Sequence, residues 1–160
     1  MMEICRKNIE EKGLTPCCTF HEGYVAILPE NRLYDAATSI LVSQFLPKLE
    51  ERRQFFQSIA ARLRPGGYFI TSDLAADTLA PEFKDLLEPW MRTMKLSGVS
   101  NQELEMRRAA FSDNPILAAV LAPKILEELI ASSGFEAPMQ FYQFMTMPAW
   151  FARRKVSSKL

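Results

Sequence analysis

Histidine is almost missing from this chain: His21 is the only one among 160 residues. A Ser-His-Asp or Cys-His hydrolase works through a histidine base, so a lone histidine argues against that chemistry. Cysteine is scarce as well. Cys5, Cys17 and Cys18 are odd in number, two of them are adjacent, and no CxxC occurs. That pattern excludes a disulfide framework and gives a zinc ion no ligand set. The thiols read as reduced and partly buried, and His21 as a strand residue. There is no excess charge of either sign, with 19 basic residues against 19 acidic ones. Non-specific nucleic-acid binding, driven by phosphate neutralisation, is therefore not expected. Nor is there an apolar run approaching the ~20 residues that span a bilayer. The opening MMEICRKNIEEKG lacks the apolar core of a signal peptide. No membrane partner and a cytoplasmic location are the expectation.

What is present is ordinary for a soluble globular domain: 48% hydrophobic and 24% charged residues. The length suits one core, and no linker, repeat or low-complexity tract divides it, so residues 1–160 read as a single domain. The basic tail ARRKVSSK reads as a frayed, solvated terminus. Met2, Cys5 and Ile9 fall at helical spacing ahead of Gly13. Cys17 to Glu22 is short and β-prone. Asp35 to Ile40, within YDAATSILVSQFL, has the small and apolar residues of a strand buried on both faces.

Glu50 to Arg64 is helical, with Phe55, Ile59 and Leu63 in one stripe. Pro65-Gly66-Gly67 is expected to stop that helix and release a strand over Tyr68–Ser72. Phe83, Leu87, Trp90, Met91 and Met94 form a further helical stripe. Ser100-Asn101-Gln102-Glu103 is a capping box, and Pro123 opens a helix that stops at Gly134. Strands near Met139–Met145 and Ala149–Arg153 are close enough for an antiparallel hairpin. Alternating strands and helices imply an α/β fold with a parallel sheet. The acid pairs Glu10-Glu11, Glu50-Glu51 and Glu127-Glu128 read as solvated helix faces.

Three stretches resemble the class I S-adenosylmethionine-dependent methyltransferases. YDAATSILVSQFL is similar to that family's fourth strand and following loop. RLRPGGYFITSDL is similar to its helix, turn and fifth strand, and SSGFEAPMQFYQFMTMPAWFARR to its last helix end and terminal hairpin. The resemblance implies a Rossmann-like sheet, mostly parallel with an antiparallel C-terminal hairpin, in the family order 3-2-1-4-5-7-6. It also exposes a departure. Family members open with a strand, a glycine-rich loop and a helix, then a strand ending in an acid that binds the cofactor ribose. This sequence has no GxGxG, and its opening resembles the helix after that acid. The expectation is a methyltransferase sheet lacking its first two strands and first helix, through truncation of a longer ancestral or gene-model sequence. Cys17–Glu22 then stands for the third strand. Asp35–Ile40 is left as an apolar edge through which a homodimer would form.

The resemblance also implies site residues. Gly23, Tyr24 and Val25 fall in the loop that covers the adenine of S-adenosylmethionine, with Tyr24 where an acid is common. Ser39 and Ile40 lie at a strand end, in the crevice where open α/β sheets bind ligands, and strand packing explains them equally. Gln44 occupies the loop facing cofactor and substrate, where many members carry a histidine, and is the catalytic candidate. Trp90 and Met94 belong to the segment that roofs a small-molecule substrate in relatives, and the same stripe reads as core. Gly98–Ser100 through Arg107–Arg108 resembles carboxy-S-adenosylmethionine synthases, in which an arginine at the place of Arg108 holds a carboxylate. Ile40, Tyr24 and Val99 stand where those enzymes carry asparagine, aspartate and tyrosine. The implied activity is methyl transfer to a small or medium-sized substrate. The alternatives are a synthase of that kind and a non-catalytic, associating remnant.

Overall fold

A computed structural model describes residues 2–29, 31–109, 111 and 120–156. Helix α1 spans Met2–Glu11 and is followed by single 3-10 turns at Thr15–Cys17 and Val25–Ile27. Strand β1 is Tyr34–Ile40, helix α2 Leu49–Arg62 and strand β2 Leu63–Ser72. Helices α3 (Phe83–Leu96), α4 (Asn101–Ala109) and α5 (Pro123–Ser132) follow, then strands β3 (Met139–Phe144) and β4 (Met147–Arg153). The sheet order is β1-β2-β4-β3. β1 and β2 pair in parallel, and β4 runs antiparallel to both β2 and β3. Three strands therefore point one way and β4 the other, as in the 4-5-7-6 portion of the expected order.

Helix α4 begins where its sequence predicts. The Ser100 hydroxyl accepts the Glu103 N–H at 3.3 Å, and the Glu103 carboxylate accepts the Ser100 N–H at 3.2 Å. This reciprocal cap starts α4. α2 and α5 bury Phe56, Ile59, Leu126 and Ile130 against Phe69, Trp150 and Phe135 on one face of the sheet. Phe69 and Phe135 stack with ring centroids 4.8 Å apart. A second cluster joins α3 to α4 through Leu87, Trp90, Met91 and Leu104, with Met145 and Met147 from the hairpin beside it.

Several expectations need correction. The helix before Pro65-Gly66-Gly67 already ends at Arg62, because Leu63 is extended, buried and paired with Tyr34. The next pairs along the ladder are Ala36 with Tyr68, so residues 64–67 bulge within β2 and do not stop a helix. Cys17–Glu22 is not a strand: no neighbour among the described residues pairs with it, and strand backbone needs a ladder. His21 is consequently an exposed loop residue, and Cys5 and Cys17 are exposed. β1 is mostly exposed instead of buried on both faces, since it forms the sheet edge. Glu127 is not merely solvated, because it accepts the Trp150 indole N–H at 2.9 Å. The start of the basic tail is tied down as well. Arg154 donates to the Leu63 carbonyl, and Lys155 Nζ donates to the Ala131 carbonyl at 2.9 Å. Residues 157–160 of that tail lie outside the described residues.

The two glycines of the bulge serve different ends. Gly66 has φ +78°, the left-handed region that a side chain disfavours. A Cβ on Gly67 would lie 2.8 Å from the Arg64 carbonyl oxygen and 3.1 Å from that of Asp35 in β1. Gly67→Ala is expected to destabilise the fold by about 1–3 kcal/mol through forced backbone shifts. Gly66→Ala should cost about 1 kcal/mol from its dihedral alone. Urea unfolding of both variants checks this, and a Gly67→Ala midpoint equal to wild type would remove close approach as the reason for that glycine.

Candidate functional site

β1 and β2 end side by side, with Ile40 opposite Ser72. The backbone beyond each strand is locked to the other by side chains. Asp73 is buried and accepts the Ser43 hydroxyl at 2.6 Å and the Gln44 N–H at 3.1 Å. The Gln44 amide oxygen accepts the Leu74 N–H at 2.7 Å in return. Burial pushes the Asp73 carboxyl above the usual aspartate range, while Ser43, Gln44 and the nearby Arg52 charge hold it back. Arg52 is itself buried and donates to the Leu46 carbonyl at 3.2 Å, which binds the same loop to α2.

Beside this clasp, a cavity of about 460 Å³ lies between residues 21–28 and β1, with Phe55 and Ile59 of α2 also lining it. Ligand pockets commonly measure about 300–1,000 Å³. Its loop wall is held by Arg62. One guanidinium nitrogen donates to the Ala26 carbonyl at 2.6 Å, and Nε donates to the Leu28 carbonyl at 3.0 Å. Gly23 has φ +126°, and a Cβ there would meet Ile27 Cδ1 at 2.7 Å. Tyr24 is 79% exposed at the rim. Ser39 also lines the cavity, is only 4% exposed, and its hydroxyl has no hydrogen-bond partner. A buried hydroxyl without a partner is costly unless something supplies the bond.

Gly23, Tyr24, Val25 and Ser39 thus meet around one cavity, although they come from two separate segments. Ile40, 55% exposed, lies one residue beyond that lining. Gln44 is buried in the clasp and does not line the cavity. Trp90 and Met94 pack in the α3–α4 cluster. Arg108 grips Glu88 with both ends of its guanidinium, at 2.5 and 3.3 Å, beside a separate cleft of about 290 Å³. That grip holds the Glu88 carboxyl below its usual range. Sequence reasoning missed Arg62, Arg52 and Asp73. Asp73 had a signal, an acid directly after a strand, whereas nothing local marks either arginine. Among the described residues no group of three or more metal-ligating side chains gathers, and no helix is long and apolar enough to cross a membrane.

Residues 1–71 match the family model described as a methyltransferase domain. No curated protein matches the chain. An O-methyltransferase family protein from Burkholderia thailandensis is similar at TM-score 0.63 and 13% identity, over 98% of this chain and 42% of its own. Human N-acetylserotonin methyltransferase, solved with S-adenosylmethionine, is similar at TM-score 0.55 and 18% identity, over 86% of this chain and 34% of its own. The [4+2]-cyclase SpnF is similar at TM-score 0.61 and 12% identity, over 97% of this chain and 62% of its own. At such identities the likeness is one of fold.

The clasp makes a pH-dependent contribution. Because the folded chain holds the Asp73 proton to higher pH than the unfolded chain, its stabilising share is complete below the unfolded aspartate pKa of about 3.9. It is lost as pH rises through the raised folded value. Measured by urea unfolding, the stability of wild type relative to Asp73→Asn should fall from about pH 4 upward and then level off. A difference that is flat or rises with pH would overturn this.

Proposed function

We propose that this chain, whose fold is that of the class I S-adenosylmethionine-dependent methyltransferases and whose first 71 residues match the methyltransferase domain family, takes part in methyl transfer to a small or medium-sized molecule. The chain spans well under half of the first solved structures it matches, 44%, 42% and 42% of their lengths, so activity is proposed for the whole protein of which these residues are a part or the whole. The cofactor is S-adenosylmethionine, which supplies a methyl group already activated on a sulfonium. The observation that carries this reading is the Ser39 hydroxyl, buried and unpartnered in the cavity wall at the C-terminal half of a parallel strand.

The cavity residues fit the adenine end of that cofactor. Gly23 brings backbone to the cavity without a side chain, the Tyr24 ring is free to stack on a planar base, and Val25 supplies an apolar wall. Ser39 offers a hydroxyl, with Ile40 next to it at the strand end. No GxGxG loop occurs in these 160 residues, and the cavity residues account for the adenine end alone. Catalysis in this reading is positioning and exclusion of water, since methyl displacement from a sulfonium needs little else. Gln44 acts as a positioning residue. Its amide oxygen is engaged with Leu74, so it holds the loop that faces the substrate instead of moving a proton. Trp90, Met94 and Arg108 form the substrate side, and self-association through the edge strand at Asp35–Ile40 remains part of the proposal.

Two other readings meet specific observations. A carboxy-S-adenosylmethionine synthase-like role needs Arg108 to receive a ligand carboxylate, and Glu88 already fills that fork. A non-methylating role is consistent with SpnF, a cyclase on the same fold. Calorimetry with S-adenosylmethionine and its demethylated product decides first. Binding is expected, and Ser39→Ala should weaken it about fivefold, the worth of one net hydrogen bond. A folded sample that gives no heat with either compound would overturn cofactor binding by this chain and favour the non-catalytic reading.

A further inference from the structure

The two walls of the cavity are built unequally. β1 is held along its length by the ladder to β2. Residues 21–28 form the facing wall, and among the described residues they pair with no strand. They also bury little: six of the eight are exposed, and Val25 and Leu28 are only half-buried. A segment with so few buried apolar contacts opens readily unless polar bonds hold it. Those bonds come from α2. Phe55, Ile59 and Arg62 stand at i, i+4 and i+7 on that helix, so they share the face that lines the cavity. Phe55 and Ile59 supply an apolar floor. Arg62, 5% exposed, supplies the bonds. Its Nε donates to the Leu28 carbonyl at 3.0 Å. One terminal nitrogen donates to the same oxygen at 2.7 Å and to the Ala26 carbonyl at 2.6 Å. The other donates to the Ser58 carbonyl, within α2, at 3.0 Å. One planar fork therefore ties the loop wall to the last turn of α2.

We propose that Arg62 is a positioning residue for the cavity ligand: by holding residues 21–28 against α2 it keeps the cavity closed to its binding width and so sets ligand affinity. The inference rests on the reading that this cavity takes the adenine end of S-adenosylmethionine. All three guanidinium nitrogens are engaged with backbone carbonyls, so Arg62 acts on the ligand through the wall. That wall carries Gly23, Tyr24 and Val25. Without the fork the segment samples open arrangements, and apparent affinity falls with the fraction of molecules still closed. Hydrogen bonds from a charged donor are the stronger kind, so losing them leaves the closed arrangement a minor one. A lysine keeps the charge but has no planar fork with which to bridge carbonyls of two segments. Ser39 stands outside this device, because the β1–β2 ladder places it whether the wall is closed or open.

Calorimetry with S-adenosylmethionine, read together with amide hydrogen exchange, tests the proposal on wild type, Arg62→Lys, Arg62→Gln and Gly66→Ala. Gly66→Ala strains the fold at a residue that does not line the cavity, so it should bind as wild type does. Arg62→Lys is expected to bind at least about tenfold more weakly. Exchange should quicken in residues 21–28 and stay unchanged in the β1–β2 ladder. Arg62→Gln keeps a donor without the buried charge and gives the same readings should the lysine variant not fold. Wild-type affinity in a folded Arg62 variant would overturn the proposal. So would weakened binding without faster exchange in residues 21–28, or an equal loss of affinity in Gly66→Ala. Failure of both Arg62 variants to fold would overturn it too, because the arginine would then serve the whole fold and not the wall. No heat from wild type would defeat the cofactor reading and this proposal with it, whereas equal binding by wild type and the Arg62 variants defeats this proposal alone.

Discussion

A buried carboxylate ties together the chain segments that leave β1 and β2. Asp73 leaves the end of β2 and at once receives the Ser43 hydroxyl and the Gln44 N–H from the backbone beyond β1. Desolvation works against its charge, and three favourable neighbours work for it. Removing those partners would strand a buried acid, a far larger cost than any of the hydrogen bonds is worth in isolation. The end of β1, the loop after it and the first turn of α2 are therefore placed by one side chain together with Arg52. Ser39, earlier on the strand, is held by the β1–β2 ladder and by the Thr71 hydroxyl, which donates to its carbonyl at 3.0 Å.

Arg62 does the corresponding work on the opposite wall. Residues 21–28 have no strand pairing to hold them, and their backbone carbonyls bond a guanidinium from the last turn of α2 instead. The cavity thus has one wall fixed by a sheet and the other by a buried cation. Its apolar floor comes from Phe55 and Ile59 on the same helix. The α3–α4 cluster stands apart from it, so the substrate-side candidates Trp90, Met94 and Arg108 are organised by a second hydrophobic centre.

Much of the architecture was legible in the sequence. The capping box at Ser100–Glu103, the proline opening α5 and the terminal hairpin are local devices, each settled within a few residues, and each stands where expected. The candidates Gly23, Tyr24, Val25 and Ser39 came from resemblance, and the fold brings all of them to one cavity. Cys17–Glu22 was misread because β-propensity describes fitness for a pleated surface, and no neighbouring strand is there to provide one. Pro65-Gly66-Gly67 was misread for a related reason. Its composition announces a chain reversal, yet pairing of Leu63 with Tyr34 begins the strand earlier and turns the same residues into a bulge.

The sequence by itself therefore determined the order and type of most elements, because periodicity, caps and turn residues act over one or two turns of chain. Only the tertiary structure decided which polar groups are buried and who satisfies them. Asp73 meets Ser43 across 30 residues, and Arg62 meets Leu28 across 34. Such bonds are chosen by desolvation, which depends on what the whole fold covers and leaves no local periodic trace. The same holds for exposure. MQFYQF is an ordinary β-strand by composition, and only the sheet order makes it an open edge.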